Sequence, residues 1–257
     1  WFHTHQNRQY YSGHIWEALP SKVEANTDII LALLDELELK ATFFVLGWVA
    51  AHNPDVVKKI HAKGHEIGAH SHWHHNPQLL KPDDFEKDIQ LCLSHIQDLT
   101  GEKVTAYRAP GFNLKLKDNW AFEILAKNGI KVDSSVQINR MKNNPPVVIK
   151  AGDSEILEFP LITSSIGIPY SGGGYFRVLP KFYINHFIRK HDYNLLYLHP
   201  RDFDDHYPFS NLFSLFRNLL NSINTSICRD HLIDVLSELE TCTIKEAAIK
   251  YKSTNKV

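Results

Sequence analysis

The chain alternates between segments with helical periodicity and short apolar strands, and this alternation limits the folds that it can adopt. Apolar residues recur with the period of an α-helix over residues 23–37, and the β-branched and aromatic segment 41–45 follows directly. Further strands are predicted at residues 66–69, 104–107, 130–132, 156–159 and 194–198. Such alternation predicts an α/β fold in which helices cover a parallel sheet.

Proline and glycine mark the ends of the predicted helices. Pro54 and Pro82 occupy first-turn positions, and Gly64 and Gly101 follow helical periods where a left-handed residue commonly ends a helix. In the first helix, five apolar residues are expected to form the buried face: Ile29, Ile30, Leu33, Leu34 and Leu37. No linker composition interrupts the chain, so residues 1–257 are interpreted as a single domain with a helical tail after about residue 209.

The charge balance excludes one large class of partner. The chain has 28 basic and 29 acidic residues, so it lacks the surplus of Lys and Arg that neutralises nucleic-acid phosphates. No apolar run approaches the roughly 18 residues of a membrane span. Cys92, Cys228 and Cys242 show no paired spacing and are interpreted as small buried side chains of a reducing compartment, which predicts a cytoplasmic protein. A Cys228 to Cys242 disulfide is the alternative. The sequence does not fix the oligomeric state.

A histidine-rich segment follows the predicted strand at residues 66–69 and is the first candidate site. Imidazole is a common zinc ligand, and each ligating nitrogen must lie about 2.0–2.1 Å from the ion. His70 and His74 would be roughly 13 Å apart in a strand at about 3.3 Å per residue, but about 5–6 Å apart across one helical turn. A metal site therefore requires a turn after the strand, and the alternative is a solvated loop that also contains His72 and His75.

Other polar groups also follow predicted strands. Arg108 lies in the segment YRAPGF, Asp133 in VDSS and His199 in YLHP. Because the carboxyl ends of parallel strands meet at one face of an α/β barrel, these side chains are candidates for a common site. Taken singly, each has a purely structural interpretation: Arg108 as an ion-pair partner, Asp133 as a helix or turn cap, and His199 as a core residue.

A glycine-rich segment at residues 171–175 is a candidate for ligand contact. It lacks the Gly-Lys-Ser/Thr ending of a phosphate-binding loop, and no clear helix is predicted to start on it. We interpret it as a loop whose missing side chains allow a ligand to approach, with Gly173 and Tyr175 as contact residues.

Taken together and in order, the motifs resemble those of the polysaccharide deacetylase family, also called the NodB-homology family or carbohydrate esterase family 4. The resemblance extends over roughly residues 23–204 and is carried by HSHWH at residues 70–74, RAPGF at 108–112 and LHP at 198–200. The ordered segments ATFFVLGWVA, YRAPGF, VDSS, LEFP, SGGGYFRVLP and YLHPRDFD are similar to a bacterial branch associated with exopolysaccharide and surface-glycan loci.

This resemblance implies a distorted (β/α) barrel of about seven strands. It implies a hydrolase that removes N-acetyl groups from amino sugars of a bacterial surface polysaccharide or its precursor, with an N-acetylated glycan as the partner. It also implies a divalent metal, most often zinc, bound by one aspartate and by two histidines, here His70 and His74.

The same resemblance implies roles for the remaining motif residues. His199 would protonate the leaving amine, and Arg108 would orient an aspartate that acts as general base. The Gly111 N–H would donate to the oxyanion, and Leu198 would line the pocket for the acetyl methyl group. Asp133 would hold His199 and favour its protonated form through an opposite charge.

The family's first motif has no counterpart in the chain. That motif supplies the base and the metal-binding aspartate at the end of the first strand, yet residues 1–20 contain no acidic pair and no strand pattern. The only methionine is Met141, so we expect the first strand and both aspartates to lie upstream of Trp1. His3 and His5 are the nearest substitute ligands within the chain, and the fourth motif is reduced because no Asp-Trp pair follows residues 133–135.

Two alternatives to the deacetylase stay open. Without an acidic pair upstream of Trp1, the chain would be a catalytically inactive carbohydrate-binding protein on the same fold. The other alternative is an amidohydrolase acting on small linear or cyclic amides. An open groove, as opposed to a lidded pocket, would be evidence against this alternative.

Overall fold

The central sheet is mostly parallel. The computed structural model describes residues 16–17, 20–138, 146–164, 167–204, 215, 219, 223–237 and 239–254. In spatial order its strands are β1 (Thr42–Val45), β2 (Glu66–Ala69), β3 (Ala106–Tyr107), β4 (Val132–Asp133), β7 (Ser154–Glu158) and β6 (Val147–Ala151). All pairings are parallel except the antiparallel hairpin of β6 with β7. A separate parallel ladder joins β5 (Gln137–Ile138) to β8 (Leu161–Ile162).

Helices connect and cover the strands. They are α1 (Val23–Glu36), α2 (Gly47–His52), α3 (Pro54–Ala62), α4 (Pro82–Thr100), α5 (Asn119–Lys127), α6 (Gly173–Val178), α7 (Lys181–Lys190), α8 (Thr225–Leu236) and α9 (Ile244–Thr254). Pro54 and Pro82 begin α3 and α4 as predicted, because a first-turn residue needs no N–H partner within the helix. Gly101 ends α4 with a φ of 69°, a left-handed conformation that glycine adopts without steric cost.

Three apolar clusters hold these layers together. The largest lies between the first strands and helices α2 to α5, where α4 buries Phe85, Ile89, Cys92 and Ile96 as its apolar period predicts. A second cluster lies among α6, α7 and α8, and a third brings α9 against β4 and β7. The C-terminal helix α9 is also anchored to β1, because the Ile244 N–H donates to Thr42 Oγ1 over 2.9 Å.

The parallel strands end level with one another. Val45, Ala69, Tyr107, Asp133 and Glu158 are successive Cα partners across β1, β2, β3, β4 and β7. The residue that follows each strand therefore lies at the same edge of the sheet, which is where α/β folds place their sites.

The predicted α/β class is confirmed, and two strand predictions need correction. Residues 194–198 do not form a strand; Tyr197 makes only an isolated parallel bridge to Gly172. The β6 strand was not predicted, because its residues alternate in burial at the antiparallel edge of the sheet instead of forming a continuous apolar run. Over the described strands, the sheet runs from β1 to β6 as an open series and does not close into a barrel.

The face predicted for α1 is only partly correct. Leu33 and Leu34 are buried, but Ile29 is 41% exposed and Leu31, which was not expected inside, is 1% exposed. The reason is that α1 packs on two sides, with Leu31 in the first cluster and Leu33 in the second.

The cysteines also differ from expectation. Cys92 and Cys228 are buried as predicted, Cys242 is exposed, and all three are free thiols. Among the described residues, no helix has the length and apolar character needed to cross a membrane.

Candidate active site

The histidine segment leaves β2 through a strained turn. Ser71 and His74 adopt left-handed φ angles of 68° and 57°, which cost about 1–3 kcal/mol each for such residues. Asp88 on α4 holds the turn, because its carboxylate accepts the backbone N–H groups of His72 (2.8 Å) and Trp73 (3.0 Å). The turn that a metal site requires is therefore present, although it is not helical.

This turn brings His70 and His74 together. Their ring centroids are 5.1 Å apart and the ring planes cross at 73°. His70 Nδ1 lies 2.7 Å from the Arg108 carbonyl oxygen, which can only accept, so Nδ1 carries the proton and the lone pair is on Nε2. In metal-binding histidines, the ring nitrogen that does not bind the metal commonly donates its N–H to a backbone carbonyl or a carboxylate.

The two imidazoles fit a divalent metal as part of its ligand set. Within the described ranges, no cluster of three or more His, Cys, Asp or Glu side chains is arranged to bind a metal. His3 and His5, the predicted substitutes, lie outside the described residues. The pair thus matches two positions of a site in which catalytic zinc normally has three protein ligands.

His72 occupies a different position from its neighbours. Its ring is buried against His95, with centroids 5.4 Å apart, and a Cβ at Gly47 would come within 2.6 Å of His72 Nδ1. Burial, assisted by nearby histidines, lowers the pKa of His72 to about 4, so the ring is neutral at pH 7. We conclude that His72 packs the base of the turn.

Arg108 follows β3 and is held rigidly. Its Nε donates to the Ser134 carbonyl (3.2 Å) and its Nη2 to Ser134 Oγ (2.9 Å). The guanidinium carbon lies 4.2 Å from the ring centroid of Phe44 and 5.0 Å from that of Phe112, within the range of cation–π attraction. Burial lowers the pKa of Arg108 to about 10, and the group remains charged at neutral pH.

The motif loops contact one another through aromatic rings. Gly111 and Phe112 both have left-handed φ angles, 70° and 52°, which turn the chain sharply after Arg108. The Phe112 and Tyr197 rings lie 5.0 Å apart, and Tyr197 lies 6.2 Å from the His199 ring. The hydrogen bond from His70 to the Arg108 carbonyl joins the HSHWH segment to the same group. The segments HSHWH, RAPGF and LHP, which are distant in sequence, therefore form one continuous cluster.

The carboxylate beside His199 is Asp202. Asp202 Oδ2 accepts the His199 backbone N–H over 2.8 Å and lies 3.5 Å from His199 Nδ1, while Oδ1 lies 3.4 Å from Arg177 Nη2. Burial opposes ionisation of Asp202, but the His199 ring and Arg201 hold its pKa down at about 2. Asp202 is 1% exposed, so this is an anion held inside the protein.

Asp133 does not occupy the place that the resemblance implied. Its oxygens accept the side-chain hydroxyl (2.7 Å) and backbone N–H (3.1 Å) of Ser135, and its Cα partner on the neighbouring strand is Glu158. The pKa of His199 also differs from expectation, because it is lowered and not raised. Desolvation and the charge of Arg201 lower it, although Asp202 acts in the opposite direction. The predicted Asp133 to His199 pairing is wrong, because register places Asp133 opposite Glu158.

The glycine-rich segment also needs correction. A helix, α6, begins at Gly173, and the space beside the glycines is filled by the protein itself. A Cβ on Gly172 would lie 2.3 Å from Tyr197 Cζ, and one on Gly173 would lie 2.2 Å from Asp202 Oδ2. These glycines therefore allow close internal packing and do not open a path for a ligand. Tyr175 is half-buried, and its contact with substrate stays a prediction.

Replacing Gly173 by alanine is expected to lower the free energy of unfolding by about 1–3 kcal/mol, because the new methyl group overlaps a buried, hydrogen-bonded carboxylate. Gly174→Ala is the matched control in the same helix: Gly174 is exposed, and the nearest atom to its Cβ is Arg177 Nη2 at 3.8 Å. This control is expected to be neutral or to stabilise by about 0.5–1 kcal/mol. Urea unfolding measures both, and equal effects would contradict the packing argument.

Three carboxyl residues of this region were missed from the sequence: Asp88, Glu158 and Asp202. The sequence does indicate Asp202, since an acidic residue three positions after His199 matches the spacing of a capping box. It also indicates Glu158, which is a charged residue inside the apolar segment ILEF. No sequence pattern indicates Asp88, since its contacts are with a turn on another element.

Two family models match the two halves of the chain. Residues 15–133 match the family model described as polysaccharide deacetylase, and residues 133–248 match a domain of unknown function, DUF3473. The peptidoglycan deacetylase of Helicobacter pylori is 33% identical over 125 residues, which are 49% of this chain and 41% of that protein. Residues 15–133 therefore form a domain of the polysaccharide deacetylase family, and the match spans less than half of this curated relative.

Solved structures show the same fold. A Mycobacterium smegmatis protein classed with the polysaccharide deacetylases has a TM-score of 0.64 at 18% identity, over 90% of this chain and 78% of that chain. A pseudoenzyme of carbohydrate esterase family 4 from Bacillus anthracis has a TM-score of 0.55 at 15% identity, over 88% and 62% respectively. At these identities the likeness concerns the fold alone.

Proposed function

We propose that the protein is a metal-dependent hydrolase that removes N-acetyl groups from amino sugars of a bacterial surface glycan or its precursor. The observation that carries this proposal is the hydrogen bond from His70 to the Arg108 carbonyl, because it joins the histidine pair to the next motif and sets the tautomer that a metal needs. Family membership and the H. pylori peptidoglycan deacetylase support an N-acetylated glycan as the substrate class.

The site residues have different roles in the proposed hydrolysis of the amide. A divalent metal held by His70 and His74, which we propose to be zinc, supplies Lewis-acid polarisation of the acetamide carbonyl when bound. His199 delivers a proton to the amine nitrogen as the C–N bond breaks, so that water and amide are converted to acetate and a free amino sugar. Asp202 orients the His199 ring and supports its protonated form.

The surrounding groups position the substrate. The Gly111 N–H lies in the sharp turn after Arg108, where we propose that it donates to the carbonyl oxygen as negative charge develops. Leu198 is half-buried and packs against the second apolar cluster, and we propose that it also contacts the acetyl methyl group. Arg108 is proposed to orient the general base through its fixed guanidinium.

A second candidate is an inactive glycan-binding protein on the same fold. The observation that favours it is the composition of the metal position, where the described residues supply two imidazoles and no carboxylate. The B. anthracis pseudoenzyme shares this fold, so the fold itself does not separate the two candidates.

Acetate release separates these functions directly. The full-length protein loaded with zinc is expected to release acetate from N-acetylglucosamine oligomers, to lose this activity after chelation, and to regain it when zinc is returned. Binding of the oligomers without acetate release would contradict the hydrolase and favour the binding protein. Cleavage of small cyclic or linear amides, with the oligomers untouched, would favour the amidohydrolase.

A further inference from the structure

Two carboxyl groups lie against each other in the interior of the protein. Asp133 ends β4 and Glu158 ends β7, the two residues are Cα partners across the sheet, and both are 0% exposed. Both carboxyl groups face the same backbone N–H, because Ser135 N lies 3.1 Å from Asp133 Oδ2 and 3.5 Å from Glu158 Oε2. Two ionised carboxylates this close and removed from water would repel each other strongly, which favours a proton on one of the two groups.

The other hydrogen bonds indicate which group is ionised. Asp133 accepts two hydrogen bonds from Ser135, one from Oγ at 2.7 Å and one from N at 3.1 Å. Glu158 accepts one from Val136 N at 3.0 Å and a long one from Ser135 N at 3.5 Å, and it accepts none from a hydroxyl group of the described residues. The better-supplied acceptor, Asp133, is therefore the carboxylate, and Glu158 is the acid that donates to it.

Charge balance indicates that only one of the two carboxyl groups is ionised. Arg108 is the cation that acts on both carboxyl groups, and Tyr107 and Tyr193 are the other ionisable groups that face the pair. One buried carboxylate and one guanidinium compensate each other, whereas a second buried carboxylate would have no further cation beside it among the residues that the structure describes. Burial and the neighbouring Asp133 charge hold the pKa of Glu158 well above its usual range.

This pair is connected to the candidate active site through two adjacent serines. Ser135 donates to Asp133 and accepts the Ala109 N–H over 2.7 Å, at the start of the turn that contains Gly111. Ser134 accepts both hydrogen bonds from the Arg108 guanidinium. The carboxyl pair and the segment that holds Arg108 therefore share hydrogen-bond partners.

We propose that Asp133 and Glu158 share a single proton carried by Glu158, and that Glu158 is a positioning residue that keeps Arg108 and the following turn in place. The shared proton depends only on the buried geometry. Its effect on turnover rests on the proposed function, since it acts through Arg108.

Infrared spectroscopy tests the shared proton without any activity measurement. At neutral pH the wild-type protein is expected to show the carbonyl stretch of a buried protonated carboxylic acid, shifted in deuterium oxide. Glu158→Gln is expected to lose this band while keeping the fold, because the amide replaces the acid in size and still donates to Asp133. Absence of the band in the wild type, or its persistence in Glu158→Gln, would overturn the proposal.

Turnover of the zinc-loaded, full-length protein tests the positioning role. Glu158→Gln is expected to keep kcat within about threefold of wild type, whereas Glu158→Leu, which removes the donor, is expected to lower kcat by about a hundredfold. Equal losses in two folded variants, or no loss with leucine, would contradict the positioning role. If Glu158→Leu does not fold, Glu158→Gln alone tests the positioning role, because a large loss of kcat in this variant would overturn it. If wild type itself releases no acetate, the hydrolase proposal fails, and the infrared result still decides the shared proton.

Discussion

Replacing His70 or His74 by alanine is expected to remove stoichiometric metal from the protein and to abolish acetate release. Catalytic zinc normally has three protein ligands and a water, so loss of one imidazole leaves too few ligands to hold the ion. The geometry supports this choice of histidines, because their rings lie 5.1 Å apart and His70 donates its other ring N–H to a backbone carbonyl. Elemental analysis of the purified variants, combined with the acetate assay, measures both effects.

The controls come from the same turn. His72→Ala and His75→Ala are expected to retain metal, since the His72 ring packs against His95 and neither residue belongs to the close pair. His72→Ala is expected to lower the free energy of unfolding by about 1–3 kcal/mol, because it leaves a cavity in a packed region. Loss of metal from His72→Ala with metal retained in His70→Ala would show that a different pair binds the ion.

Replacing His199 by alanine is expected to lower turnover by about 10²–10⁴-fold while metal stays bound. This is the typical contribution of a positioned side chain that transfers a proton. The His199 side chain is 45% exposed, so it is accessible to a substrate, and Asp202 lies beside it on the protein side. Metal content and kcat measured on the same sample test the assignment. An unchanged kcat would exclude His199 as the general acid.

Asp202→Asn tests how His199 is tuned. A general acid must be protonated, so the rate falls as pH rises through the pKa of His199. Desolvation, Arg201 and Arg108 lower this pKa and Asp202 raises it, so the asparagine variant is expected to lose activity at a lower pH than wild type does. A pH profile of kcat shows the shift. A profile that does not move would mean that Asp202 contributes packing and no tuning.

Features that depend on local pattern were predictable. The apolar periods of α1 and α4, the first-turn prolines and the terminal Gly101 set those helices, because backbone hydrogen bonding and side-chain period are decided within a few residues. The order of strands and motifs along the chain was also sufficient to predict an α/β sheet with polar groups at its strand ends. The family models and solved neighbours agree with that prediction.

Features that depend on packing between distant segments were not predictable. The interpretation of residues 171–175 as an open loop was wrong, since whether a glycine faces solvent or a neighbour depends on which segment packs against it. Tyr197 and Asp202 fill that space, and both lie more than twenty residues away in sequence. The failed strand prediction at residues 194–198 has a related cause, because a short apolar run has no strand partner unless the sheet provides an edge for it.

The sequence by itself determined helices α1, α3 and α4 and most of the parallel strands, because these follow from local propensity and period. Only the tertiary structure decided which charged groups meet. Strand register places Asp133 opposite Glu158, and the turn after His199 brings Asp202 to that ring. Burial makes each of these contacts strong, since a carboxyl group removed from water must find a proton, a hydrogen-bond donor or a cation, and the folded chain alone determines which of these is near.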